Sequence, residues 1–232
     1  MLSQLVHAIL VAFLAAAVAA AAPGLGEAQN QQLAPPLSQR VGPEAVWVPP
    51  QNVFLSLGAE CGGRGATCLP AVMQRLGASP QAVTFAAALY GQGYLGSFRK
   101  LGRVDLAIVV YPFRANDNEV PALVNGRPSF VDVMTVVAGL KLSRDPHFNS
   151  IAQVHPNVGW QGDVPRFKAM TLLPRGGQRF VFSVLLQDGC HACAILGEAW
   201  FAMDVDGSGE LQRSVLLGTT NPTAMQPPPT FR

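Results

Sequence analysis

Residues 178–217 read QRFVFSVLLQDGCHACAILGEAWFAMDVDGSGELQRSVLL, and this stretch decides the fold class. Residues 180–186 are aromatic or branched at nearly every position, which suits a pleated, buried segment. Residues 198–204 and 210–217 repeat the pattern. Gly176-Gly177 introduces the first strand, and Asp206-Gly207-Ser208-Gly209 forms a tight turn between the last two. Strands that follow one another with no helix between them need only hairpin connections. An antiparallel sheet is therefore expected and a parallel βαβ sheet is not.

Upstream, residues 103–111 (RVDLAIVVY) are apolar, β-branched and short enough for a buried strand. Residues 122–124 and 129–133 flank Asn125-Gly126, which favours a type I′ hairpin turn because both central residues need positive φ. Pro128 then has to sit where no ladder donor is needed. Residues 134–142 are compatible with strand or helix, and residues 144–167 read as irregular, with Asp145-Pro146 and His155-Pro156 as turn chemistry.

Further upstream the signals are helical. Ser79-Pro80 pairs an N-cap with a first-turn proline, predicting a helix over 81–90 that stops at Gly91. A shorter helix is expected from Thr67 or Cys68 to Leu76, with Gly77 as its stop. The predicted fold is α+β: two short N-terminal helices followed by a mostly antiparallel β-sheet built from hairpins. One domain over 53–218 accommodates it.

Both ends differ in composition. Residues 8–22 are an uninterrupted apolar run rich in Ala, the length of a signal-peptide core and short of the roughly 20 residues of a membrane span. Small residues follow, and a signal peptide over 1–28 is expected, cleaved between Ala21 and Ala28. Residues 29–52 read as a Pro/Gln-rich linker with Trp47 docking its ring on the domain, and residues 219–232 as a disordered Pro-rich tail. An exported bacterial protein, periplasmic or secreted, follows from the signal, with no transmembrane segment after its removal.

Composition narrows the function classes. Of the 232 residues 49% are hydrophobic and 13% charged. That excludes intrinsic disorder for the bulk of the chain, which requires low hydrophobicity and high net charge. The net charge is +2 and only Arg99-Lys100 places basic residues side by side, so no nucleic-acid footprint exists.

Chemistry concentrates in Cys190-His191-Ala192-Cys193. Three readings compete. Cys61, Cys68, Cys190 and Cys193 can form structural disulfides, with local pairing favoured by proximity. Cys190 and Cys193 can exchange disulfides, with His191 lowering the thiol pKa. Against this, thioredoxin-type motifs open a helix inside a βαβ unit, whereas a strand pattern follows here. The same cysteines with His191 can ligate zinc, but the seven-residue separation of Cys61 and Cys68 is too wide for a usual knuckle. Haem attachment is excluded because Ala194, not His, follows Cys193.

Other motifs are weaker. Residues 204–210 (DVDGSGE) resemble a calcium loop, but the twelfth position is Val215 where a bidentate Glu is needed. The loop over 114–119 and the region over 145–166, with His147, His155, Asp145, Asp163, Trp160 and Arg166, are candidate contact surfaces. Neither carries a nucleophile motif such as G-x-S-x-G. The expectation is a disulfide-stabilised, non-catalytic binding or structural module without cofactor or metal. Its partner would be an unidentified protein or small molecule. Periplasmic thiol–disulfide exchange at Cys190 and Cys193 is the alternative.

Overall fold

The computed structural model describes residues 37, 39–51, 53–61, 67–114 and 118–222. Three helices come first: α1 (Val53–Cys61), α2 (Cys68–Arg75) and α3 (Pro80–Ala88). Strands β1 (Tyr94–Arg99), β2 (Asp105–Val110), β3 (Glu119–Val124) and β4 (Phe130–Asp132) form an antiparallel meander in that spatial order. Then come α4 (Val133–Ala138), α5 (Pro146–Val154) and β5 (Val158–Gly159). A second antiparallel sheet is built on β7 (Gln178–Asp188), β8 (Ile195–Val205) and β9 (Leu211–Thr220). On the outer side of β7, β5 pairs with its end and β6 (Arg166–Leu172) with its start. The class is α+β, as expected, but there are two sheets where the sequence suggested one.

The alternation of β2 and β3 explains why two layers cover the first sheet. Val104, Leu106 and Leu123 point to one side, where they pack with Phe180, Phe182, Val184, Phe201 and Met203 of the second sheet and Val133 and Val137 of α4. Ala107, Val109, Val120, Ala122 and Val124 point to the other, against Phe85 and Leu89. A third cluster joins α2 and α3 to Leu57, Trp47 and Tyr94. Phe180, Phe182 and Phe201 are completely buried, each contributing roughly 1.5–3 kcal/mol relative to exposure.

Two polar devices stitch the sheets together. The buried Gln178 side chain accepts from the Arg103 and Val104 N–H groups at 3.1 and 2.8 Å. It donates to the Leu101 and Val104 carbonyls at 3.2 and 3.0 Å. In addition, Arg127 lies in the β3–β4 connection and pairs in parallel with the start of β9. Its N–H donates to Gly209 at 2.7 Å, and its carbonyl accepts from Leu211 at 2.9 Å.

Ser79 caps α3 as its sequence predicts, its Oγ accepting from the Ala82 N–H at 3.0 Å. The same device recurs where turn chemistry was expected. Asp145 accepts from the Phe148 N–H at 2.8 Å and Pro146 occupies the first turn of α5. Asp-Pro here is a helix start, so residues 144–167 are not irregular throughout. Residues 134–142 resolve into α4 for most of their length, with Asp132 as N-cap. β1 and β6 went unread because each contains a bulge, at Gly96 and Lys168, that interrupts the two-residue period.

The β3–β4 hairpin exists, but its turn differs from the expected type I′. Val124 pairs with Phe130, so five residues connect the strands, and only Asn125 has positive φ, 69°. Gly126 is required for space: a Cβ there would lie 2.8 Å from the Gly209 carbonyl.

The second half of the stretch read as a linker is packed. Val41, Ala45 and Trp47 are buried, and Val46 bridges to Leu95. Trp47 docks edge-on against Tyr94, ring centroids 4.8 Å apart. Asn125 pins this segment, accepting from the Val41 N–H at 2.7 Å and donating to its carbonyl at 2.8 Å. The expected signal peptide over 1–28 and the end of the tail, 223–232, lie outside the described residues. Among those described, no helix is long and apolar enough to cross a membrane.

Candidate functional site

The motif Cys190-His191-Ala192-Cys193 forms the tip of the β7–β8 hairpin. Gly189 takes the positive φ, 78°, that the chain needs to leave β7. The Asp188 N–H donates to the Ala194 carbonyl and the Cys193 N–H to the Cys190 carbonyl, both at 3.1 Å. A disulfide joins Cys190 to Cys193 across a Cα separation of 5.1 Å. Cys190 and His191 are exposed and Cys193 is half-buried. From beneath, the buried Gln187 amide donates to the His191 carbonyl, while its Oε1 has no donor among the described residues.

A second histidine reaches this tip. α5 ends at Val154, and β5 pairs with Gln187 and Asp188, which brings His155 alongside. Its Nδ1 lies 3.1 Å from Asp188 Oδ2. The carboxylate next to the disulfide therefore belongs to a His155–Asp188 pair, a juxtaposition that nothing in the spacing of those residues announces.

The other cysteines are remote in role. Cys61 ends α1, Cys68 begins α2, and their disulfide ties the two helices at a Cα separation of 5.6 Å. Cys61 is buried in the third cluster. Each disulfide is local, which keeps the four sulfurs in two separate pairs. Among the described residues, no three His, Cys, Asp or Glu side chains converge as a metal site would require.

The calcium-like turn uses its acids internally. Asp206 Oδ1 accepts from the Ser208 Oγ and N–H and from the Glu210 N–H, at 2.7, 2.8 and 3.0 Å. The Ser208 hydroxyl and the backbone donors hold its carboxyl below the usual range. Asp204 is clasped by the Arg179 guanidinium at 2.6 and 2.7 Å and by Arg213 Nε at 2.8 Å. Those hydrogen bonds, Arg179's foremost, lower its pKa against the opposing effect of burial.

Most polar residues of 145–166 are taken up in structural contacts, while the buried His147 Nε2 has no hydrogen-bond partner among the described residues. Asp145 caps α5 and also accepts from Thr219 Oγ1 at 2.6 Å. Trp160 Nε1 donates to the Asp163 carbonyl at 2.7 Å, and Asp163 accepts from the Leu185 N–H at 3.1 Å. Arg166 lies 3.9 Å from Asp163. The loop over 114–119 is only partly described, since 115–117 fall outside. At its start, Arg114 stacks 3.6 Å over the Tyr111 ring, and Tyr111 donates to Asp132 at 3.4 Å. Burial raises the pKa of both Tyr111 and Asp132. Nearby, burial and the Glu119 charge push Tyr94 up to about 12.

One surface feature escaped the sequence reading. A groove of about 360 Å³ runs between residues 139–145 and residues 214–218 of β9. Only the packing of α5 against β9 creates it, so no local signal could have marked it.

The fold and its tip define a two-sheet α+β domain stapled by two local disulfides. No family model matches the chain, and neither a curated protein nor a solved structure is significantly similar to it.

Proposed function

We propose that this chain is an exported, periplasmic or secreted binding module without catalytic chemistry, in which both disulfides are structural staples. The observation that carries this reading is the setting of Cys190 and Cys193 at the tip of a strand hairpin. A disulfide-exchange centre needs a stabilised thiolate, and the partial positive charge of a helix N-terminus usually supplies it. Here Cys193 leads through Ala194 directly into β8, whose long ladder with β7 holds the tip. The scattered basic residues support a protein or small-molecule partner over nucleic acid.

Thiol–disulfide exchange is the second reading. It is favoured by the exposure of Cys190 and by the His155–Asp188 pair at the same tip. The reduction potential of Cys190–Cys193, measured by mass spectrometry of the mature protein across a glutathione series, separates the two. A value below about −300 mV marks a structural staple. A value between about −120 and −270 mV, with insulin-reducing activity lost in Cys190→Ser, overturns the module reading.

A further inference from the structure

We propose that the outer edge of β6 takes an extended peptide with acidic ends, which adds to the second sheet as a further strand. This inference rests on the binding-module reading and names its partner.

β6 is an exposed edge strand. Among the described residues its backbone pairs with β7 alone. Five of its seven residues are exposed, and only Phe167 and Met170 are half-buried. A bulge at Lys168 breaks the ladder near its start, but from Ala169 to Leu172 the register against β7 is regular. That run contains no charge and no proline, the devices that usually block an edge, so its outward N–H and C=O groups can pair with an added strand. Added strands draw affinity from main-chain hydrogen bonds and specificity from side-chain pockets. Met170 packs against the inter-sheet core, and Leu172, two residues on and so on the same face, is 76% exposed. An apolar residue of the incoming strand covers Leu172 and extends that core across the edge.

Charge selects the partner. Residues 166–175 carry the cations Arg166, Lys168 and Arg175 and neither Asp nor Glu. The fold adds another, because Arg99 at the end of β1 lies 5.7 Å over the Phe167 ring. Lys168 is committed to Glu198 at 2.9 Å, and Arg166 approaches Asp163 only to 3.9 Å. Arg99 and Arg175 are exposed, with no ion-pair partner among the described residues. They stand toward opposite ends of a strand that spans roughly 20 Å. A second copy pairing through the same edge would bring only further cations to this rim. A foreign segment with an apolar centre and Asp or Glu toward both ends satisfies the edge, Leu172 and the two arginines.

The test pans a phage-displayed random peptide library on the full-length mature protein, then measures selected synthetic peptides by fluorescence anisotropy. Enrichment of apolar residues flanked by Asp or Glu is expected. The double variant Arg99→Glu/Arg175→Glu alters two exposed side chains, so it should fold normally and weaken binding about tenfold or more. Leu172→Ser, also at an exposed position, should weaken binding with little change in melting temperature. N-methylation of every second peptide amide should abolish binding in one frame and spare it in the other. Peptides without acids, or binding unchanged by the charge reversal and in both methylation frames, would overturn the site while leaving a binding module in place. A dimer that forms through β6, or a single-stranded oligonucleotide held as tightly as the peptides, would also overturn it. No enrichment would overturn the site alone, and with a disulfide potential in the exchange range it would remove the module reading as well.

Discussion

Replacing Gln178 tests how much one side chain contributes to joining the two sheets. Gln178 is 2% exposed and contacts the 101–104 connection through four hydrogen bonds. In Gln178→Leu the hydrocarbon volume is kept and all four bonds are lost. The two to Arg103 and Leu101 are only partly buried, so water can replace them. The two to the Val104 N–H and carbonyl are fully buried and stay unsatisfied, each costing about 1–3 kcal/mol. The expected loss is about 3–4 kcal/mol, which for a domain of this size lowers Tm by roughly 6–16 °C. Gln178→Glu should be worse at neutral pH, because a carboxylate then faces the Leu101 and Val104 carbonyls. Those acceptors and burial raise its folded-state pKa above the unfolded value near 4.3. Its deficit relative to wild type should therefore shrink as pH falls, once the protonated acid can donate. Urea unfolding followed by fluorescence at pH 7 and pH 5 measures both. A Leu variant within about 1 kcal/mol of wild type would refute the stitching role.

Three further outcomes are expected. Asp204 has a lowered folded pKa, so its stabilisation is complete above the unfolded value near 3.9 and is lost as pH falls through the lower folded value. Asp204→Asn should cost about 2–3 kcal/mol at pH 7 in chemical denaturation, with the gap to wild type closing in acid; a gap independent of pH would contradict the assignment. Asn125→Ala removes the bonds to Val41 and Asp105 and strains a residue at φ 69°, so limited proteolysis should cut the 37–47 segment faster while the sheets stay protected. Removing the staples should cost about 2 kcal/mol for Cys190→Ser/Cys193→Ser and about 2.5 kcal/mol for Cys61→Ser/Cys68→Ser on the loop-entropy model. Hydrogen exchange should show the first effect confined to the hairpin tip, and loss of protection throughout β7 and β8 would count against that.

Much of the fold is legible in the chain itself, for a local reason. The β7, β8 and β9 hairpins and the Ser79-Pro80 helix start are encoded by neighbours within a few residues: alternation, turn glycines and a capping hydroxyl. Short loops also favour the pairing of each cysteine with its nearest partner, and both disulfides are of that kind. The same locality misled at Asp145-Pro146, where turn and helix start share one dipeptide, and only Asp145's contacts with Phe148 and Thr219 show which it became.

What depends on distant residues was settled by tertiary structure. The joining of the two sheets rests in part on Gln178 reaching a connection more than seventy positions earlier. The burial of Val41 and Trp47 rests on Asn125 and Tyr94, which a composition of prolines and glutamines does not reveal. His155 meets Asp188 only because β5 pairs with the end of β7. The groove exists only because α5 is anchored on β9. Sequence thus determined the β7–β9 hairpins, the start of α3 and the staples, since those follow from backbone preference and short loops. Packing alone decided which surfaces meet, because apolar burial is non-directional and becomes specific only once the layers close on one another.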